Sequence, residues 1–143
     1  MNREFFILSW VFWLLMAAAI AVSYGEAPIW VNFIGAVLAG SRMILYQNVK
    51  HDNPFSIPTI QMPLVFQFRG MYGYVRHPLY VSSVMWFIAI PLVFMSYLGL
   101  LASCGLIMIT IWRIDLEEAF LSKSPDYRDY CARVRFKLIP GVF

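Results

Sequence analysis

Two clusters of ionisable residues stand out in a chain that has few of them. The run GMYGYVRHPLY over 70–80 places Arg76 and His77 directly before Pro78 and a long apolar stretch. Proline suits the first turn of a helix, where its missing N–H leaves no bond unmade, so Arg76 and His77 fall at the positive end of that helix's dipole. A cation beside a helix N-terminus favours an anionic ligand group; the same two residues could equally anchor a helix at a headgroup layer. The second cluster, WRIDLEEAFL over 112–121, holds Arg113, Asp115, Glu117 and Glu118. Arg113 and Glu117 are four apart and share a helical face, with Glu118 turned about 100° from Glu117. Three carboxylates there could meet a cationic ligand or simply form a solvated helix end.

The elements that must position these clusters are membrane spans. Of 143 residues, 61% are hydrophobic and 13% charged, and the mean hydropathy is +0.68. Four spans of about 20 residues consume roughly 80, which leaves no room for a separate Rossmann-type nucleotide domain. With only 11 Lys and Arg and a net charge of +3, the basic balance reads as topology rather than as a nucleic-acid footprint, so no nucleic-acid partner is expected. Cys104 lies in an apolar stretch and Cys131 in a charged tail, so they form no disulfide framework, and no metal is expected.

Charge-free runs locate the helices. Positions 5–25 form span one. A cleaved signal peptide is the alternative, although the apolar region is longer and, with Trp10 and Trp13, more aromatic than a signal core. Span two covers 27–46 if Arg42 snorkels; within it Gly35 with Ala39 and Ala36 with Gly40 are small pairs that allow close helix approach. Positions 77–112 contain no Asp, Glu, Lys or Arg, and one helix of that length would reach ~54 Å, nearly twice the hydrocarbon thickness. The stretch folds back, with breaks offered by Pro91 and by 96–99. The expected fold is therefore an all-α integral membrane protein with about four transmembrane helices, spans three and four forming a helical hairpin, and a cytoplasmic C-terminal helix.

As a single membrane domain, the chain divides into two N-terminal spans (1–46), a cytoplasmic loop (47–76), the hairpin (77–112) and a cytoplasmic C-terminal segment (113–143) that would be catalytic if the protein is an enzyme. Every Lys and Arg then falls on one side, leaving Glu26 and the turn near Ser96 on the other. By the preference of Lys and Arg for the cytoplasm, both termini are cytoplasmic. The loop, with Pro54, Pro58 and Pro63, is either a lid along the interface or an ordered connector packing on helix ends. In the tail, Ser124, Pro125 and Asp126 open a short helix through about Arg135. Its stripe of Tyr127, Tyr130, Cys131 and Val134 would pack on the bilayer surface or on the site itself.

Taken together, the motifs resemble the integral-membrane methyltransferase family that includes isoprenylcysteine carboxyl methyltransferases and phospholipid N-methyltransferases. Gly70, Tyr72, Arg76, His77, Pro78 and Tyr80 match G-x-Y-x-x-x-R-H-P-x-Y, and Arg113, Glu117, Glu118 and Leu121 match R-x-x-x-E-E-x-x-L. Tyr127, Tyr130, Val134 and Pro140 match the family's tail. Two positions depart: Gly73 stands where Arg is frequent, and Ser82 where Gly usually follows.

The resemblance implies S-adenosyl-L-methionine as methyl donor and a lipophilic acceptor entering from the bilayer, either a prenylcysteine-like carboxylate or a lipid amine. It implies cofactor-binding roles for Gly70, Tyr72, Arg76, His77, Pro78, Tyr80, Trp112, Arg113, Glu117 and Glu118, and catalytic roles for His77, Arg76 and Glu117. Arg76 and the helix start would take the donor's carboxylate, Glu117 or Glu118 its ammonium or ribose hydroxyls, and Tyr72, Tyr80 and Trp112 its adenine or sulfonium. His77 would fix orientation or act as general base. The alternatives are a sterol-reductase-like NADPH enzyme, since those reductases share a similar R-H-P-x-Y and acidic pattern, and a non-catalytic membrane scaffold.

Overall fold

The computed structural model describes residues 3–23, 28–52 and 70–143, with side chains over 7–23, 28–51 and 70–143. Among the described residues the fold is all-helical: α1 (Arg3–Ser23), α2 (Ile29–Asp52), a 3-10 turn (Gly70–Gly73), α3 (Pro78–Val93), α4 (Tyr97–Leu121) and α5 (Pro125–Arg133). Their only extended pairing is an isolated parallel bridge between Val75 and Phe136. Pro54, Pro58 and Pro63 of the expected lid lie outside the described residues, as do Glu26 and Arg69.

Two helices, Ile29–His51 and Tyr97–Leu121, are long and apolar enough to cross a bilayer. A soluble protein's core helix can match that length and composition, but it is mostly buried, whereas these apolar windows are only 6% and 28% buried. Their outward faces carry Phe33, Ile44, Leu101 and Met108, all well exposed, surface that water would not tolerate and lipid would. Two shorter apolar helices, Ile7–Ser23 and Pro78–Val93, complete the bundle. At 16 residues, α3 rises only ~24 Å, short of the hydrocarbon thickness of ~30 Å.

The helices alternate in direction. Asn32, at the start of α2, donates to the Val93 carbonyl at the end of α3 (2.7 Å), and Ser23, closing α1, meets Ser96 at the head of α4 (2.6 Å). The start of α3 and the end of α4 therefore share the opposite end of the bundle. Pro91 does not break α3, which runs on to Val93. The chain turns instead at 94–96, where Met95 takes a left-handed φ of 53° and Ser96 caps α4 by accepting from the Gly99 N–H (2.9 Å).

Helix α1 packs on α4 and α3 through Met16, Phe87 and Leu106, flanked by Phe12, Trp13 and Ile90. Trp13 meets Phe87 edge to face at 5.6 Å. The Ser103 hydroxyl lies 2.6 Å from the Phe87 carbonyl and ties α4 to α3. Of the small residues in α2, Gly35 is where close approach is needed: a Cβ there would sit 2.6 Å from the Val93 nitrogen, whereas at Gly40 it would meet nothing.

Candidate functional site

Three parts of the chain converge where α3 begins and α4 ends: the approach to α3, the last turns of α4, and α5 with the tail after it. Pro78 occupies the first turn of α3, with His77 as the residue before it, as the missing proline N–H predicts. Helix α4 continues past Trp112 to Leu121, so Arg113, Asp115, Glu117 and Glu118 ride on its last turns. That charged end projects beyond the apolar part of the helix, because charges concentrated there belong outside hydrocarbon. The tail is then drawn back across both helices. Arg76 N–H donates to the Phe136 carbonyl and His77 N–H to that of Lys137 (2.9 and 3.0 Å).

Glu118 is the hub. Its Oε1 accepts from Arg76 Nε at 2.7 Å, from His77 Nε2 at 3.2 Å and from the Tyr127 hydroxyl at 3.4 Å, while Oε2 lies 3.4 Å from Lys137 Nζ. Burial would raise the pKa of this carboxyl, but the bonds from His77 and Arg76 overcome it and hold the value at about 2. Glu118 is thus ionised, a pure acceptor, and His77 Nε2 must carry the hydrogen it donates. Burial also pushes the Tyr127 hydroxyl up, helped by the nearby Glu118 charge.

Arg76 joins the three parts. Besides Glu118, its Nη1 donates to the carbonyls of Val134 (3.0 Å) and Arg135 (2.9 Å), so three of its donors hold α4 and the tail to the mouth of α3. Burial alone would lower its pKa, yet the Glu118 bond raises it. Helix α5 adds apolar adhesion: Tyr127, Tyr130 and Val134 form a buried cluster with Leu121, and the Tyr130 hydroxyl donates to the Tyr72 carbonyl (2.7 Å). The tyrosine stripe therefore packs on the site. Its helix ends at Arg133, two residues before the expected limit, and Ser124 stands at the N-cap without a side-chain capping bond.

Glu117 has different surroundings. Its Oε2 accepts from the Tyr80 hydroxyl at 2.8 Å, and it is half-buried. The Tyr80 ring lies 5.6 Å from that of His77 and 5.9 Å from the Arg113 guanidinium. A carboxylate, a guanidinium and an imidazole thus surround one phenol, whose ring adds an aromatic face. An arrangement of this kind can bind a ligand carrying both signs of charge and an apolar body.

The expected residues Arg76, His77, Tyr80, Arg113, Glu117 and Glu118 are brought together. Pro78 is fully buried at the helix start, and Tyr72 joins through its carbonyl. Gly70 opens the 3-10 turn with φ 59°, which glycine adopts without strain. Trp112 is 47% exposed on the outer side. Gly73 is exposed in the 3-10 turn, and Ser82 is buried two residues beyond Tyr80, on the opposite side of α3. Lys137, which bonds Asp115 at 2.7 Å as well as approaching Glu118, was not singled out in the sequence; a lone lysine between apolar tail residues carries no periodic signal.

The family model described as phospholipid methyltransferase matches residues 36–127, which takes in both charged clusters and the hairpin between them. No curated protein and no solved structure matches the chain.

Proposed function

Because the chain belongs to the phospholipid methyltransferase family, a family of membrane methyltransferases, we propose that it transfers a methyl group from S-adenosyl-L-methionine to a lipophilic acceptor that reaches the site from the bilayer. The observation that carries this reading is the pairing of Tyr80 with Glu117 beside His77 and Arg113. The residues suit the donor, which brings a carboxylate, an ammonium, a sulfonium and an adenosine. The donor supplies the electrophilic methyl group; the chain's part is to bind, orient and exclude water.

Of the two glutamates, Glu117 is the ligand-facing one in this reading. Glu118 is saturated by Arg76, His77, Tyr127 and Lys137 and acts as a positioning residue. Glu117, held by Tyr80 alone among the hydrogen bonds of the described residues, presents a carboxylate to the ammonium or the ribose. Arg113 and the remaining donors of Arg76 serve the carboxylate, and Tyr80 offers an aromatic face to the sulfonium or adenine. If the acceptor is an amine that arrives protonated, His77 takes the proton at Nδ1, since Nε2–H is committed to Glu118. A carboxylate acceptor needs no such step. In-line displacement gains most from holding the reactants aligned in a dry site, and the tail strapped over the helix ends serves that purpose.

In the membrane, α1 to α4 form four spans, the short α3 being accommodated by neighbouring helices and local bilayer thinning. The site and both termini face the cytoplasm. The test is equilibrium binding of S-adenosyl-L-methionine to the protein in lipid nanodiscs, with NADPH for comparison and Glu117→Gln as the site control. Saturable binding weakened by the substitution is the expected result; preference for NADPH would overturn the reading.

A further inference from the structure

On the other side of α3 from Tyr80, a cation lies without a counter-charge among the described residues. Arg42, within the apolar helix Ile29–His51, sets its guanidinium 4.9 Å from the Tyr46 ring and 5.0 Å from the Trp86 ring of α3. Its Nε is buried and has no hydrogen-bond partner. The one other buried side-chain polar atom without a partner among the described residues is the Ser82 hydroxyl, one turn from Trp86 on the same face of α3. Among the described residues no carboxylate pairs with this guanidinium. Asp115, Glu117, Glu118, Asp126 and Asp129 belong to the far end of α4 and to α5, Asp52 is ten residues along α2, or ~15 Å, and residues 53–69 contain no Asp or Glu. A cation in a span is costly unless paired, and one without an internal partner calls for an external anion.

Depth and surroundings say which anion. Arg42 stands one turn before Tyr46 and the polar run Gln47, Asn48 and Lys50, close enough for a long side chain to snorkel toward the depth of lipid phosphates. Along α2 below it, Val37 and Met43 are exposed and apolar, which suits acyl chains and not a free ion. We propose that Arg42, flanked by Tyr46 and Trp86, seats the phosphodiester of one phospholipid in the seam between α2 and α3. Trp86 is about 120° around α3 from Tyr80, so this site is separate from the cluster around Glu117 and does not rest on methyl transfer.

The probe is phosphatidylglycerol, which has no amine to methylate, added to delipidated protein in detergent and followed by native mass spectrometry. Diacylglycerol with the same chains and inorganic phosphate as a competitor form the other arms. Wild type retains phosphatidylglycerol about tenfold better than diacylglycerol, inorganic phosphate does not displace it, and R42Q removes the preference, as loss of a charge-assisted hydrogen bond predicts. R128Q, at an exposed arginine on α5, leaves it intact. If R42Q does not fold, R42K decides, keeping the charge and weakening retention several-fold by losing the planar fork. Equal retention of the two lipids, displacement by phosphate, or unchanged retention in the Arg42 variants would each overturn the proposal, whatever the outcome of the methyl-donor binding test.

Discussion

The Tyr80 hydroxyl and the Glu117 carboxylate lie 2.8 Å apart, although one sits in the first turn of α3 and the other in the last turns of α4. The bond spans the open end of the hairpin, where nothing in the helix ladders holds the two strands of chain together. In the proposed reading, Tyr80 aims Glu117. Glu117→Gln is expected to weaken S-adenosyl-L-methionine binding about tenfold or more, because a charge-assisted bond becomes a neutral one. Tyr80→Phe should cost less, and neither should move the thermal midpoint by more than a few degrees. Titration calorimetry in nanodiscs, paired with a melt of each variant, reads both quantities.

Arg76→Ala removes a partly buried ion pair and two bonds to tail carbonyls. The expected loss is about 3 kcal/mol of local stability, since the Glu118 carboxylate is left buried without its main partner. It should appear as faster amide exchange and earlier proteolysis over 125–138 with the apolar helices still protected. Arg76→Lys should recover part of the protection through its charge and none of the forked geometry. Uniform loss of protection along the whole chain would contradict this role.

Acid should release the same clasp. Glu118 has its folded-state pKa lowered from 4.5 to about 2, so it contributes stability that is fully present above the unfolded value and is lost as pH falls from 4.5 toward 2. Exchange over the tail should therefore be flat between pH 7 and 5, after correction for intrinsic rates, and rise below 4.5. Glu118→Gln should be weaker at neutral pH and show no such rise.

Close packing makes a sharper demand on two glycines than on a third. A Cβ at Gly105 would run into the Phe12 ring, and one at Gly35 into the backbone at Leu92–Val93, while Gly40 has open space. Gly105→Ala and Gly35→Ala should each destabilise by about 1–3 kcal/mol through overpacking. Gly40→Ala should be neutral or stabilising by up to about 1 kcal/mol from helix propensity. Thermal melts in one detergent order the three.

Much of this was legible in the chain. Pro78 marks the start of α3 because only a first-turn position tolerates its missing N–H, and the uncharged run from 77 to 112 could only be a hairpin. The turn was harder to place: Pro91 reads as a break, yet near the end of α3 it costs little, and the reversal falls to Met95 and Ser96. Which glutamate serves as hub was not legible, since adjacent residues differ only in the direction they face. That depends on where the tail lies, and the tail is placed by main-chain bonds at Phe136 and Lys137, to which side-chain patterns are blind.

The bridge from Val75 to Phe136 also sets an order of assembly. The apolar helices can insert as they leave the ribosome, but residues 134–137 emerge about sixty positions after Arg76, which must wait for them. During that interval the new protein is already integrated in its membrane and still without a finished site, so in the proposed reading synthesis interrupted after α5 would yield inserted molecules that cannot hold the methyl donor. Membrane insertion and completion of the candidate site are therefore separate events, and the second waits for residues 134–137.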